Sequence, residues 1–114
     1  MASVLDLKVG NYVKVGTTNT QLTQQDIDDI ANNIKTYTPI ALTITWLTDL
    51  GFVVYYDNSV NLIFYNKENV YIYLSPVRLV ADIYFNDSLE ASVDCVHQVQ
   101  NVYLALQGGV MLSK

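Results

Sequence analysis

The chain has 114 residues, 51% of them hydrophobic and 15% charged, which is the size of one domain and a composition that argues against disorder. Its formal net charge is −5 and its six basic residues are scattered, so it lacks the clustered cations that nucleic-acid binding requires. The stretch MASVLDLKVG lacks the features of a signal peptide, and no apolar run approaches the roughly 18 residues of a membrane helix. We therefore expect one domain over residues 1–114, not secreted by a signal peptide and not bound to a membrane.

The first predicted element is a short strand. Tyr12 to Val15 are rich in strand-forming residues, and a turn at Gly10 and Asn11 leads into them. The polar residues 16–21 (GTTNTQ) are interpreted as a loop.

Two helices are predicted next. Thr23 can cap the first helix, Asp26 follows in its first turn, and apolar residues recur at helical spacing from Ile27 to Ile34. The segment KTYTP ends this helix, because a residue before proline disfavours the helical conformation.

The second helix is shorter. Thr43 can cap it, and Gly51 can close it in the left-handed conformation. Its Trp46 is interpreted as a core residue rather than a ligand-stacking residue.

From Phe52 onward the sequence predicts an antiparallel meander. The segments FVVYY, VNLIFYN, NVYIYLS and VRLVADIYFND are rich in β-branched and aromatic residues and are separated by turn-forming residues. In the third segment, Tyr71 and Tyr73 alternate with aliphatic residues, which is typical of a strand with one buried face. We expect a small single α+β domain: an antiparallel meander packed with two or three short helices, with a C-terminal amphipathic helix on the sheet.

The last segment, CVHQVQNVYLALQGG, contains the single cysteine and the single histidine of the chain. Helical spacing gathers Cys95 with apolar residues on one side and places His97 with Gln98, Gln100 and Asn101 on the other. Asp94 or Ser92 is the expected cap. In a helix, Cys95 and His97 point about 200° apart and cannot form a catalytic pair, whereas a strand would place them on one face. The longer pattern favours the helix, with Cys95 as a small buried hydrophobic residue.

No catalytic, cofactor-binding or metal-binding residues are predicted. The sequence contains no phosphate-binding loop, no nucleophile motif and no Cys/His spacing suited to a metal. Carboxylates lie close in sequence between Asp82 and Asp94, with Asp87 and Glu90 between them, but a solvated loop explains them best.

Three stretches resemble a family of small proteins from Bacteroidetes genomes and their phages, crAss-like phages included. LKVGNYV (7–13) fits the family's LxxGNxV pattern, PIALTITWLTDLGF (39–52) fits PIxLTxxWLxxxGF, and VHQVQNVYLALQG (96–108) fits VHQxQNxYxALxG. The match spans nearly the whole chain in the same order. The resemblance carries no established activity and so transfers no catalytic residues. This chain has Ile44 and Thr45 where the family often has acidic residues, and GVML where many members have Glu-Glu-Leu, which makes it more apolar.

The polar side of the last helix has two interpretations. Its side chains either hydrogen-bond backbone groups and fix the helix, or they form a recognition surface. The candidate interaction residues are His97, Gln100, Asn101, Leu104, Tyr71 and Tyr73.

The expected function is that of a non-enzymatic phage-type interaction protein, a virion, assembly or accessory component in the host cytoplasm or the virion. Its partners would be proteins or further copies of itself, with no nucleic acid and no cofactor. The alternative is a small phage effector that inhibits a host defence protein or sequesters a small ligand, for which the acidic balance is suited. An enzyme that uses His97 or the carboxylates from Asp82 to Asp94 is the third and least favoured hypothesis.

Overall fold

The computed structural model describes residues 7–57, 62–65, 70–75, 80–86, 88–109 and 111–114. In these residues the α+β class and the antiparallel meander are confirmed. The elements in chain order are β1 (Tyr12–Val15), β2 (Thr18–Gln21), α1 (Gln24–Ala31), β3 (Tyr37–Thr38), α2 (Ile44–Asp49), β4 (Val53–Asp57), β5 (Leu62–Tyr65), β6 (Val70–Leu74), β7 (Ala81–Phe85), β8 (Ser88–Val93) and α3 (Val96–Leu106). They form a small sheet in the order β2-β1-β3 and a large sheet in the order β4-β5-β6-β7-β8.

The small sheet begins at the predicted turn. Gly10 has a φ of +96°, and the Asn11 N–H donates to the Lys8 carbonyl at 3.0 Å. The prediction of a loop over residues 16–21 is wrong, because Thr18–Gln21 is β2 and pairs antiparallel with β1. All side chains of β2 are polar, so it has no apolar alternation, and its stability comes from the ladder with β1.

Helix α1 begins as predicted and ends early. Thr23 and Asp26 form a reciprocal capping box, in which each side chain binds the other residue's backbone N–H. The helix stops at Ala31 because Asn32 caps its end and Asn33 takes a positive φ of 60°. Ile34, predicted to extend the apolar side of this helix, is 70% exposed.

Helix α2 confirms its prediction in each part. The Thr43 hydroxyl accepts from the Trp46 N–H at 3.1 Å, and Gly51 follows the helix with a φ of +100°. Trp46 is buried and lies 5.3 Å from the Tyr12 ring, between centroids. The Lys114 ammonium lies 4.1 Å from the centre of the indole ring, so Trp46 both packs in the core and makes a cation–π contact.

The large sheet is a meander with one more strand than predicted. On its inner face, Val70, Ile72, Leu74, Ala81 and Ile83 are all buried and meet α2 and α3 in one core. Its last strand, β8, lies where the carboxylates were interpreted as part of a loop. This interpretation is wrong for Glu90, which lies on β8, and for Asp82, which lies on β7. The sequence predicts turns at 57–59, 66–69 and 75–76. Residues 58–59, 66–69 and 76 of these turns, and Asp87, lie outside the described residues, and Asp57 ends β4.

Helix α3 confirms the predicted amphipathic helix on the sheet. Val96, Val99 and Tyr103 join the core formed by the inner face. Neither expected cap begins the helix, because Cys95 is the N-cap and makes no side-chain capping bond. Among the described residues, no helix is long and apolar enough to cross a membrane.

Candidate functional site

Cys95 and His97 meet, contrary to the prediction. The Cys95 sulfur lies 3.5 Å from His97 Nδ1, a hydrogen-bonding contact in the protein interior. The prediction failed because it treated Cys95 as a helical residue. Cys95 is the N-cap, with a φ of −137° and a ψ of 160°, so the 100° helical step does not apply across it.

Burial limits what this pair can do chemically. Cys95 is 4% exposed and His97 is fully buried. A nucleophilic thiol must reach a substrate, and reactive cysteines are partly exposed. The backbone around the pair is anchored as well, since Cys95 bridges to Ala41 and the Val96 N–H donates to the Ile40 carbonyl at 2.9 Å. The predicted burial of Cys95 is confirmed, and the pair belongs to the junction between α3 and residues 40–42.

Gln100 binds three backbone groups from two distant segments. Its Oε1 accepts from the Tyr12 N–H at 2.8 Å, and its Nε2 donates to the carbonyls of Gly10 and Leu112, each at 2.8 Å. The side chain is fully buried. The interpretation that the polar side of α3 fixes the helix is therefore confirmed for Gln100.

A pair of side-chain amides, Asn11 and Asn101, adds a further contact between α3 and the turn before β1. Asn11 is buried, and its Nδ2 donates to Asn101 Oδ1 at 2.9 Å. Its Oδ1 accepts from the Lys8 N–H at 2.8 Å. The segments LKVGNYV and VHQVQNVYLALQG, at opposite ends of the sequence, thus meet through side-chain amides.

The six residues predicted as an interaction surface lie in different parts of the molecule. His97 and Gln100 lie in the interior, so they are corrected from surface residues to core residues. Asn101 and Leu104 are half-buried on α3, which packs on the inner face of the large sheet. Tyr71 and Tyr73 lie on the outer face of the large sheet, which is the face opposite α3. The six residues form no common surface, and an interaction role for the last four stays a prediction.

The outer face of the large sheet carries a cluster of tyrosines, which we define as Tyr71, Tyr73 and Tyr84. The rings of Tyr71 and Tyr84 stack with centroids 5.4 Å apart and an interplanar angle of 5°. The Tyr73 ring stands edge-on to both, at 5.7 Å from Tyr71 and 5.1 Å from Tyr84. All three side chains are half-buried. The ring contacts within the cluster therefore hold its three side chains in place.

Exposed aliphatic residues extend this cluster to both edges of the sheet. The register pairs Tyr84 with Leu89 on β8, and Tyr71 with Tyr65, which in turn pairs with Val53 on β4. Residues directly opposite one another in an antiparallel ladder share a face. Leu89 is 53% exposed and Val53 is 67% exposed. By this register, Leu89 and Val53 on the two edge strands share the outer face with the tyrosine cluster.

One carboxylate lies beside the cluster. Asp82 pairs in register with Tyr73, and its Oδ1 accepts from the Ser92 hydroxyl at 2.6 Å. Strands β4 to β8 contain three acidic residues, Asp57, Asp82 and Glu90, and no lysine or arginine. The outer face thus combines aromatic area with a negative charge.

Sequence reasoning found Tyr71 and Tyr73 but missed Tyr84, Leu89 and Val53. The alternation in ADIYF (81–85) places Asp82 and Tyr84 on one face just as VYIYL (70–74) places Tyr71 and Tyr73. That signal could have found Tyr84. Leu89 could be placed on this face only from the strand register, because β8 was not predicted and its pairing with β7 contains a bulge between Ile83 and Tyr84.

Comparisons with known proteins give no relative for this chain. No family model matches it, and neither a curated protein nor a solved structure does. The resemblance to the Bacteroidetes and phage proteins therefore stays a prediction. Within the described ranges, no group of three or more His, Cys, Asp or Glu side chains is arranged to hold a metal ion.

Proposed function

We propose that this chain is a non-enzymatic protein that acts by binding another protein through the outer face of the large sheet. The observation that carries the proposal is the tyrosine cluster, together with the exposed Leu89 and Val53 that share its face on the two edge strands. The solvent-facing side of an antiparallel sheet is normally polar. A contiguous apolar surface on a folded protein typically marks a binding site.

Tyrosine suits this role physically. It offers a large, rigid contact area at a low cost in conformational entropy, and its hydroxyl group can also form hydrogen bonds. The ring contacts within the cluster reduce this cost further, because the side chains already hold one another in place. The surface is thus prepared for a partner without rearrangement of the sheet.

The resemblance to phage proteins suggests where such a partner would be found. We propose a virion, assembly or accessory component, for which the partner is a capsid or tail protein. The acidic net charge of −5 favours a second candidate, an effector that engages a basic surface on a host protein. Both candidates use the same outer face and differ in the identity of the partner.

Site-specific photo-crosslinking tests the proposal. A photoreactive amino acid would replace Tyr73 and, as a matched control, Ile34, which is exposed but lies outside the large sheet. In cells that make the protein, we expect position 73 to crosslink to one defined protein and position 34 not to. Identification of a capsid or tail protein would support the virion role, and a host protein would support the effector. Equal crosslinking from both positions would contradict the proposal.

Thiol alkylation tests the non-enzymatic part. A catalytic thiol would react with iodoacetamide in the folded protein, whereas the Cys95 thiol is 4% exposed. We expect mass spectrometry to find alkylation only as fast as the protein unfolds, and complete alkylation in urea. Rapid reaction of the folded protein, lost in a His97→Gln variant that remains folded, would instead indicate an activated thiol.

A further inference from the structure

We infer that the partner presents an arginine side chain to the tyrosine cluster beside Asp82. This inference rests on the proposed function, because it names the chemistry that the outer face recognises. It follows from three properties of that face: the sign of its charge, its size, and the geometry of its aromatic rings relative to the carboxylate.

The charge selects a cationic partner. Asp82 lies within the aromatic surface, and the strands around it carry no lysine or arginine. Among the described residues, Ser92 donates a hydrogen bond to this carboxylate. A partner that covers Asp82 removes it from water, and a buried carboxylate needs an opposite charge to offset the lost hydration.

The same charge disfavours a second copy of this chain. A copy would bring another outer face, whose strands also lack lysine and arginine, against Asp82. Each copy carries a net charge of −5, so the two molecules repel as they approach. Two outer faces placed against one another would therefore bring Asp82 of each copy against strands that hold no basic residue.

The size of the face favours a small contact with one anchoring side chain. Strands about 4.8 Å apart, each about five residues long, give this sheet face a projected area of about 400 Å². A standard stable interface buries about 800 Å² on each partner. A surface of this size gains specificity from a single anchor residue in its centre.

The geometry favours arginine over lysine as that anchor. Asp82 and Tyr73 are direct register partners, so a carboxylate and an aromatic ring lie side by side on one face. Tyr84 lies two residues from Asp82 on the same strand and contacts Tyr73 with its ring. A planar guanidinium can lie against tyrosine rings while its N–H groups bind a carboxylate, whereas a lysine ammonium offers only a point charge.

The test uses three small probes on the whole protein. N-acetyl-arginine amide, N-acetyl-lysine amide and N-acetyl-leucine amide would be titrated against protein with labelled tyrosine rings, followed by nuclear magnetic resonance. We expect the arginine probe to bind at millimolar concentration and to shift the rings of Tyr71, Tyr73 and Tyr84. The rings of Tyr12, Tyr37 and Tyr103, which lie off the outer face, serve as internal controls.

Two variants sharpen the test. Asp82→Asn keeps an acceptor for Ser92 but removes the charge, and we expect it to weaken arginine binding about fivefold, as loss of an exposed ion pair does. Glu90→Gln removes a charge from β8 at a residue that is not a register partner of any of the three tyrosines, and it should leave binding unchanged. Equal shifts with the leucine probe, or unchanged binding in Asp82→Asn, would overturn the inference. If position 73 still crosslinks to a partner in that case, the proposed function stands and only the arginine is wrong.

Discussion

The polar side of α3 and the outer face of the large sheet both reverse the usual distribution of polarity. On α3, Gln100 and His97 are fully buried although they are polar. On the sheet, Val53 and Leu89 are more than half exposed although they are aliphatic. The helix side is satisfied within the molecule, since backbone groups of residues 10, 12 and 112 bind Gln100. On the sheet face, by contrast, the tyrosine rings contact one another while Leu89 and Val53 remain exposed at the two edges.

This difference separates a structural use of unusual residues from a binding use. A buried amide that satisfies backbone N–H and carbonyl groups stabilises the fold, because those groups would otherwise lose their hydrogen bonds on leaving water. An exposed aromatic surface adds little to folding and is available to another molecule. We therefore expect substitutions in the two regions to have opposite signatures, with large effects on stability from α3 and small ones from the outer face.

The largest expected effect is that of Gln100→Leu. This change keeps the approximate volume but removes the partners of three backbone groups, and we expect the free energy of unfolding to fall by about 4 kcal/mol. Urea unfolding followed by the fluorescence of Trp46, the single tryptophan, would measure it. The matched control is Gln98→Leu, since Gln98 is only half-buried on the same helix. Equal losses in both variants would break the comparison.

Within the large sheet, the two faces of one strand should respond differently. Ile72→Ala leaves a cavity in the core and should cost about 3 kcal/mol. Tyr73→Ala, one position away, removes ring contacts on the outer face and should cost about 1 kcal/mol. Thermal and urea unfolding of both variants would check this. A larger loss for Tyr73→Ala would mean that the outer face serves folding rather than binding.

A similarly small effect is expected at a polar cluster at the start of α1, which contains Thr23, Asp26 and Lys35. The ammonium of Lys35, 2.8 Å away, and the hydrogen bonds from Thr23 lower the pKa of Asp26 from 3.8 to about 2. As the pH falls, the Asp26 carboxylate is therefore protonated in the unfolded chain before it is protonated in the folded protein. The stability that Asp26 contributes is present above about pH 4 and is lost between pH 4 and pH 2.

Asp26→Asn should lower stability at pH 7 by about 1 kcal/mol and should approach the parent protein near pH 2. Urea unfolding at a series of pH values would measure this convergence. Asp28→Asn, on the same helix but outside the capping box, is the control. A constant difference between parent and Asp26→Asn across this pH range would show that the cap acts without its charge.

The sequence predicted the elements whose signals are local. Thr43 and Gly51 mark the ends of α2 by their own conformational preferences, and the alternation around Tyr71 marks β6 and its two faces. What the sequence could not predict depends on partners distant in the chain. Strand β2 is entirely polar and β8 has little apolar alternation, so each is recognisable only beside the strand it pairs with.

The candidate site shows the same limit. The meeting of Cys95 and His97 depends on one residue at the helix boundary, and boundaries are the least reliable part of sequence-based assignment. The burial of Gln100 depends on residues 10, 12 and 112, which no local pattern connects to it. Tyr73 could be placed on a surface by its alternation, but its packing against Tyr84 required the register of β6 and β7.

The position of Gln100 also bears on how the protein forms during synthesis. The ribosome synthesises the small sheet long before residues 100–112. Until then, the Tyr12 N–H and the Gly10 carbonyl lack the Gln100 side chain that binds them in the folded protein. We expect the nascent chain to resemble its final state only after the last helix has left the exit tunnel. Maturation would then occur as one late event rather than strand by strand.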